Sequence, residues 1–149
     1  MEMLIKLRDH VIPPVLVMIT IALQIISYLV EFPTIRKVLG IVSIIGGFAF
    51  AFISLQTLRL GGTTYKQALK PTKLITTGVY KYTRNPVYLG MVIILSGVAI
   101  LTNTLCATMA TLFFYYVIDA YYIPSEESIC KEIFKEEFTV YAEKTPRWI

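Results

Sequence analysis

Charge is scarce in this chain: 16% of its 149 residues are Asp, Glu, Lys or Arg, against about 25% in soluble domains. Residues that hold soft metals are scarcer still, with one His and two Cys. Cys106 lies in an apolar run and Cys130 in a charged segment. Neither a disulfide framework nor a metal cluster is expected from that separation. A single His also leaves no nucleophile–His–acid set of the hydrolase kind.

Apolar sequence is what remains, at 56% hydrophobic residues and a mean hydropathy of +0.65. Residues 11–30, 38–58 and 86–118 contain no charge at all, and together they make up half of the chain. A helix of about 20 apolar residues crosses a bilayer. The composition therefore predicts an all-α, polytopic membrane bundle and excludes a soluble globular domain. The first run is no cleaved signal peptide. It is too long, it carries Pro13 and Pro14, and Val30-Glu31-Phe32 offers no small-residue cleavage site. The lack of a targeting segment points to a prokaryotic inner membrane.

The expected spans are 11–30, 38–58, 87–101 and 104–123, with Thr102-Asn103 breaking the third run into a tight hairpin. The connector 31–37 is short, which makes the first two spans antiparallel neighbours. Gly46, Gly47 and Ala51 either permit close helix contact or reflect the frequency of Gly in membrane helices. Residues 59–86 hold Arg59, Lys66, Lys70, Lys73, Lys81 and Arg84 and no acid. We read that loop as a topology signal facing anionic lipid headgroups rather than as a nucleic-acid patch. Cytoplasmic N- and C-termini then place twelve of the fourteen basic residues on one side. A C-terminal amphipathic cytoplasmic helix is expected over 125–142. Ile129, Ile133, Phe134, Phe138 and Tyr141 form its apolar face, and Ser125 is its candidate N-cap. The whole chain, 1–149, reads as one membrane domain.

Chemistry concentrates in residues 70–90, KPTKLITTGVYKYTRNPVYLG. On a plain reading Asn85 caps a helix, Pro86 takes its first position, Tyr80, Tyr82 and Tyr88 form an interfacial belt, and Arg84 snorkels to headgroups. On a sharper one, a helix N-terminus, Arg84, the Asn85 amide and three Tyr converge on an amphipathic ligand with an anionic end and an aromatic end. Glu126 and Glu127 suit hydrogen bonds from an ammonium or from ribose hydroxyls. Asp119 is a functional candidate because it is the acid within the apolar stretch of the fourth span.

GVYKYTRNPVYLG at 78–90, then a hydrophobic hairpin, Ile123-Pro-Ser-Glu-Glu127, Phe134, Tyr141 and Pro146-Arg147-Trp148-Ile149 resemble the isoprenylcysteine carboxyl methyltransferase family. The phospholipid N-methyltransferases share this core pattern. The resemblance covers residues 70–149 and implies an integral-membrane enzyme using S-adenosylmethionine on a lipophilic or lipidated acceptor, with no nucleic acid or metal partner. Carried over by position, the cofactor contacts fall on Thr72, Lys73, Leu74, Ile75, Tyr80, Arg84, Asn85, Pro86, Val87, Tyr88 and Glu126, with Glu127 in the same acidic pair. The family commonly has His where Asn85 stands, and Asn carries neither charge nor proton. Tyr122 occupies the position of the substrate-engaging Arg of the prenylcysteine enzymes, and Arg147 is the candidate replacement cation. A membrane reductase of the steroid-reductase type using NADPH and a small non-enzymatic transporter are the competing readings.

Overall fold

A computed structural model of the chain describes residues 13–26, 34–63 and 71–149. It is all-helical, with no strand among the described residues. The helices are α1 (Pro13–Ile26), α2 (Thr34–Leu60), α3 (Pro86–Thr102), α4 (Leu105–Val117) and α5 (Ile123–Lys144). A 3₁₀ turn, Gly78–Lys81, precedes α3, and a π turn, Ile118–Tyr122, joins α4 to α5. The ends of the first expected span, 11–12 and 27–30, lie outside the described residues.

α2 exceeds its expected limits at both ends because Arg36, Lys37 and Arg59 continue the helix past the apolar run. Its 27 residues rise about 40 Å, more than the hydrocarbon core requires. Among the described residues, the helical path from Leu105 to Lys144 is the other one long and apolar enough to cross a membrane. α3 is shorter, at 17 residues. The outward faces carry large exposed apolar side chains, including Ile45, Phe48 and Phe52 on α2 and Leu112 and Phe113 on α4. Such surfaces are stable against lipid and not against water. The chain is an integral membrane protein.

α2 and α3 pack antiparallel through glycines spaced by seven. Gly40 meets Gly97, and Gly47 meets Gly90. A Cβ on Gly97 would stand 2.8 Å from the Gly40 carbonyl oxygen, and one on Gly90 2.9 Å from that of Gly47. A strict seven-residue repeat keeps one seam facing its partner, and here the backbones themselves form that seam. Of the three small residues singled out in α2, Gly47 and Ala51 lie in the seam, while Gly46 faces open space.

The expectation that the first two spans are neighbours is corrected. Among the described residues α1 packs on α3 and α4, while α2 takes the other side of α3. The glycine seam on α3 admits only one partner, so α1 contributes Leu16, Val17 and Ile21 to the opposite side. There they cover Tyr88, Leu95, Phe114, Ile118 and Ile123. Asn103 ends α3 in a left-handed conformation, φ 49° and ψ 36°, which Asn tolerates better than most residues. The Thr104 hydroxyl then accepts from the Ala107 N–H at 3.2 Å and caps α4.

Two corrections concern the C-terminal segment. Ser125 is not an N-cap, because the helix arrives unbroken from α4 and Pro124 lies in the first turn of α5. Proline in a helix normally collides with the carbonyl four residues earlier. Here that residue is Ala120, inside the π turn, whose wider ring moves the carbonyl aside. Nor does 125–142 form one straight helix, since Lys135 has φ 48° and ψ −117°. The kink turns the chain so that Phe138 and Tyr141 are buried while Lys131, Glu132 and Glu136 stay exposed. That backbone conformation suits only glycine without strain. Lys135→Gly is therefore expected to stabilise the protein by about 1 kcal/mol, read as a rise of a few degrees in melting temperature in detergent.

Candidate functional site

Residues 71–85 lead into the start of α3. Thr72 ties this strap down, its hydroxyl donating to the Gly62 carbonyl at 3.2 Å and its N–H to the Thr63 hydroxyl at 3.3 Å. Ile75 is buried against Gly61. Lys73, Leu74 and Ile75 line a cleft of about 440 Å³ together with Thr57, Leu60 and Thr76. Gly78 opens the 3₁₀ turn at φ 61°, and the turn drives Tyr80 inward.

Tyr80 and Tyr88 are each 7% exposed, while Tyr82 is 67% exposed. Burial takes Tyr80 and Tyr88 out of the expected interfacial belt, and of the three only Tyr82 is exposed. Tyr80 lies under the C-terminal segment, where its carbonyl accepts the Tyr141 hydroxyl at 2.7 Å. Burial, followed by Tyr141 and Glu126, raises the Tyr80 phenol well above its ordinary value, so it stays neutral. The Tyr88 hydroxyl donates to Glu126 Oε1 at 2.6 Å and joins the first turn of α3 to that of α5.

Asn85 precedes α3 but does not cap it with its side chain. Its Nδ2 donates instead to the Arg147 carbonyl at 3.0 Å, which also accepts the buried Thr83 hydroxyl at 3.0 Å. The Arg84 N–H donates to the Pro146 carbonyl. Three successive residues before α3 therefore hold the C-terminal tail by its backbone. Pro86 is buried at the first position of α3 and Val87 is half-buried.

Arg84 does not snorkel. Its guanidinium donates to Glu127 Oε1 at 2.8 and 3.1 Å and to the Ala142 and Thr145 carbonyls at 2.7 and 2.6 Å. Arg147 completes the cluster, reaching Glu127 Oε2 at 2.9 Å and Asp119 Oδ1 at 3.3 Å. Partial burial acts to raise the Glu127 carboxyl, but hydrogen bonds and charge from Arg147 and Arg84 outweigh it and hold the group below its ordinary value. A carboxyl lowered in the fold stabilises above its unfolded pKa, about 4.3, and loses that contribution as pH falls through the folded value. Melting temperature is therefore expected to drop below about pH 4, with a shallower slope in Glu127→Gln. Burial and the neighbouring Glu126 and Glu127 push the Cys130 thiol up to about 11, so it is no thiolate at neutral pH.

The candidates thus fall into two groups. Tyr80, Arg84, Asn85, Tyr88, Glu126, Glu127, Asp119 and Arg147 are linked around the starts of α3 and α5. Thr72–Ile75 border the cleft at the end of α2, and neither Tyr88 nor Glu126 lines that cleft. Tyr122 packs on the buried core beside Ile118 and Ile123. Residues the sequence reading passed over are Thr83, Thr145 and Trp148, the last donating its indole N–H to Asp119 at 2.9 Å. Thr83 and Trp148 were signalled only by position within the motifs at 78–90 and 146–149, and Thr145, outside both, had no signal.

The phospholipid methyltransferase family model matches residues 35–137, from the start of α2 to just beyond the Lys135 kink. The chain belongs to the phospholipid methyltransferase family. No curated protein and no solved structure matches it. The matched span contains the glycine seam, the strap, the π turn and the Glu126-Glu127 pair. Methyl transfer in a membrane is the class of reaction in which this family places the chain.

Proposed function

We propose that residues 1–149 act as a single membrane domain that moves a methyl group from S-adenosylmethionine to a lipophilic acceptor. The observation that carries this reading is the different use of the acidic pair. Glu127 is held between two guanidinium groups, whereas Glu126 accepts the Tyr88 hydroxyl. A carboxylate beside buried tyrosines complements a cationic ligand bearing hydroxyl groups. Together with the cleft at the end of α2, this donor set fits S-adenosylmethionine. Glu126 and Tyr88 would hold its polar groups, and Lys73, Leu74 and Ile75 would border it. Bound there, the cofactor supplies an electrophilic methyl group on a sulfonium.

The chain's own share is alignment and the exclusion of water. The tail, fixed by Thr83, Arg84 and Asn85, lies over the start of α3. The cofactor enters from the cytosol, on the side of the basic strap, and the acceptor laterally from lipid. A prenylcysteine-type carboxylate acceptor needs a cation, and Arg84 and Arg147 are both paired with carboxylates. A similar small lipid-like acceptor without a carboxylate suits the cluster better. A nicotinamide cofactor suits it less well than a sulfonium, because the Glu126 carboxylate is a poor partner for its phosphates.

Calorimetric titration of the detergent-purified protein with S-adenosylhomocysteine, with NADPH as control, tests the reading. Micromolar binding of the former alone supports it, and binding of NADPH alone moves the chain to the reductases. Glu126→Ala is expected to weaken S-adenosylhomocysteine at least about tenfold, the worth of a charged hydrogen bond, with the fold intact. Wild-type affinity in that variant would remove Glu126 from the site.

A further inference from the structure

Glu127 uses both of its carboxylate oxygens: Oε1 accepts from Arg84 and Arg147, and Oε2 from Arg147. Asp119 is bound in another way. Arg147 Nη1 and Trp148 Nε1, at 3.3 and 2.9 Å, both donate to Oδ1. No hydrogen bond from a described residue reaches Oδ2. The Asp119 side chain is 35% exposed and belongs to the π turn, directly after the last charge-free residue of the hairpin. The Trp148 ring is itself held against Tyr115, with centroids 5.0 Å apart and planes at 36°. Tyr115 stands on an exposed stretch of α4.

A carboxylate gripped through one oxygen presents the other in a fixed direction. Where an apolar helical run ends, an oxygen so presented can accept a hydrogen bond or a proton from a lipid-borne group. Irregular helical turns of the π kind recur where a side chain is aimed at a ligand. We infer that Asp119 Oδ2 receives the N–H or O–H group of the methyl acceptor, and that Trp148 is the positioning residue that aims it. This rests on the methyl-transfer reading above and narrows the acceptor to one whose reacting atom carries a proton. That proton passes to Oδ2 during the reaction and on to water when the product leaves. A carboxylate headgroup is repelled at the same place.

Trp148 is the chain's single tryptophan, so its emission reports this site without a label. The full chain in nanodiscs, titrated with dodecylamine, is expected to show a saturable change in emission. Asp119→Asn should weaken that response at least about tenfold, and dodecanoate should give none. Trp148→Phe keeps a ring on Tyr115 but removes the N–H. Its kcat is expected to fall about tenfold, the cost of one hydrogen bond to a charged group, with S-adenosylhomocysteine affinity unchanged and melting temperature lowered by no more than a few degrees. Dodecylamine binding to Asp119→Asn as tight as to wild type would overturn the inference. So would an unchanged kcat in Trp148→Phe. Failure of the wild type to bind S-adenosylhomocysteine would overturn the methyl-transfer reading instead, and the dodecylamine titration would still decide what Asp119 faces.

Discussion

Glu127→Ala is expected to release the C-terminal segment beyond the Lys135 kink from the strap before α3. Two guanidinium groups lose their shared carboxylate at once, and the Arg84 and Arg147 side chains are only 14% and 34% exposed. Removing one partner of a buried pair costs about 3–5 kcal/mol, because the remaining charge is left uncompensated. Partial solvent access here brings the figure to about 3 kcal/mol. Arg84 would keep the Ala142 and Thr145 carbonyls, so the loss should be local at first. Hydrogen exchange should speed up over 136–149 while α2 and α3 keep their protection. The S-adenosylhomocysteine titration should fail together with it, since the tail overlies the start of α3. A melting temperature within 2 °C of wild type, roughly 1 kcal/mol for a domain of this size, would reduce the cluster to a surface ion pair.

Gly97→Leu should have the other large effect, on assembly of the bundle itself. A Cβ there already meets the Gly40 carbonyl at 2.8 Å and the Ile44 amide nitrogen at 2.9 Å. Both obstacles are backbone, so no rotamer relieves them. Overpacking of this kind costs about 3 kcal/mol or more when backbones must separate, and lipid supplies little hydrophobic force to hold the helices together. The expected result is loss of the folded form in detergent, seen as aggregation on size-exclusion chromatography. Gly46→Leu is the control. Its Cβ would meet nothing within 4 Å, so it should behave as wild type. Equal damage from both would place the seam elsewhere on α2.

The helices were legible because charge-free runs and membrane thickness act on every residue of a span. The seam was half legible: Gly47 and Ala51 were visible as small residues, but nothing along α2 showed that Gly40 lay in the seam and Gly46 outside it. That depends on α3. The residue types of the candidate site were legible within 78–90 and 123–127 as a resemblance. Their partners were not, because Tyr141 to Tyr80 and Arg84 to Ala142 are contacts across about 60 positions that leave no periodic trace. Asn85 shows the same limit. Its residue type suits a cap, yet the tail carbonyl takes its amide. Ser125 failed as a cap for a related reason, since Pro124 marks the beginning of a helical segment equally well when the preceding helix never stops.

The π turn sets the phase of everything after it. An α-helix advances about 100° per residue, so the extra residue accommodated at Ile118–Tyr122 shifts the azimuth of α5 by that much relative to a plain continuation of α4. α4 is thereby free to keep its apolar stripe toward lipid, while α5 keeps Glu126 toward Tyr88 and Glu127 toward Arg84. Had the helix run on without it, one of these two alignments would have been lost. The apolar face of α4 and the face of α5 that carries Glu126 and Glu127 are thus indexed independently, and their angular offset is stored in five residues.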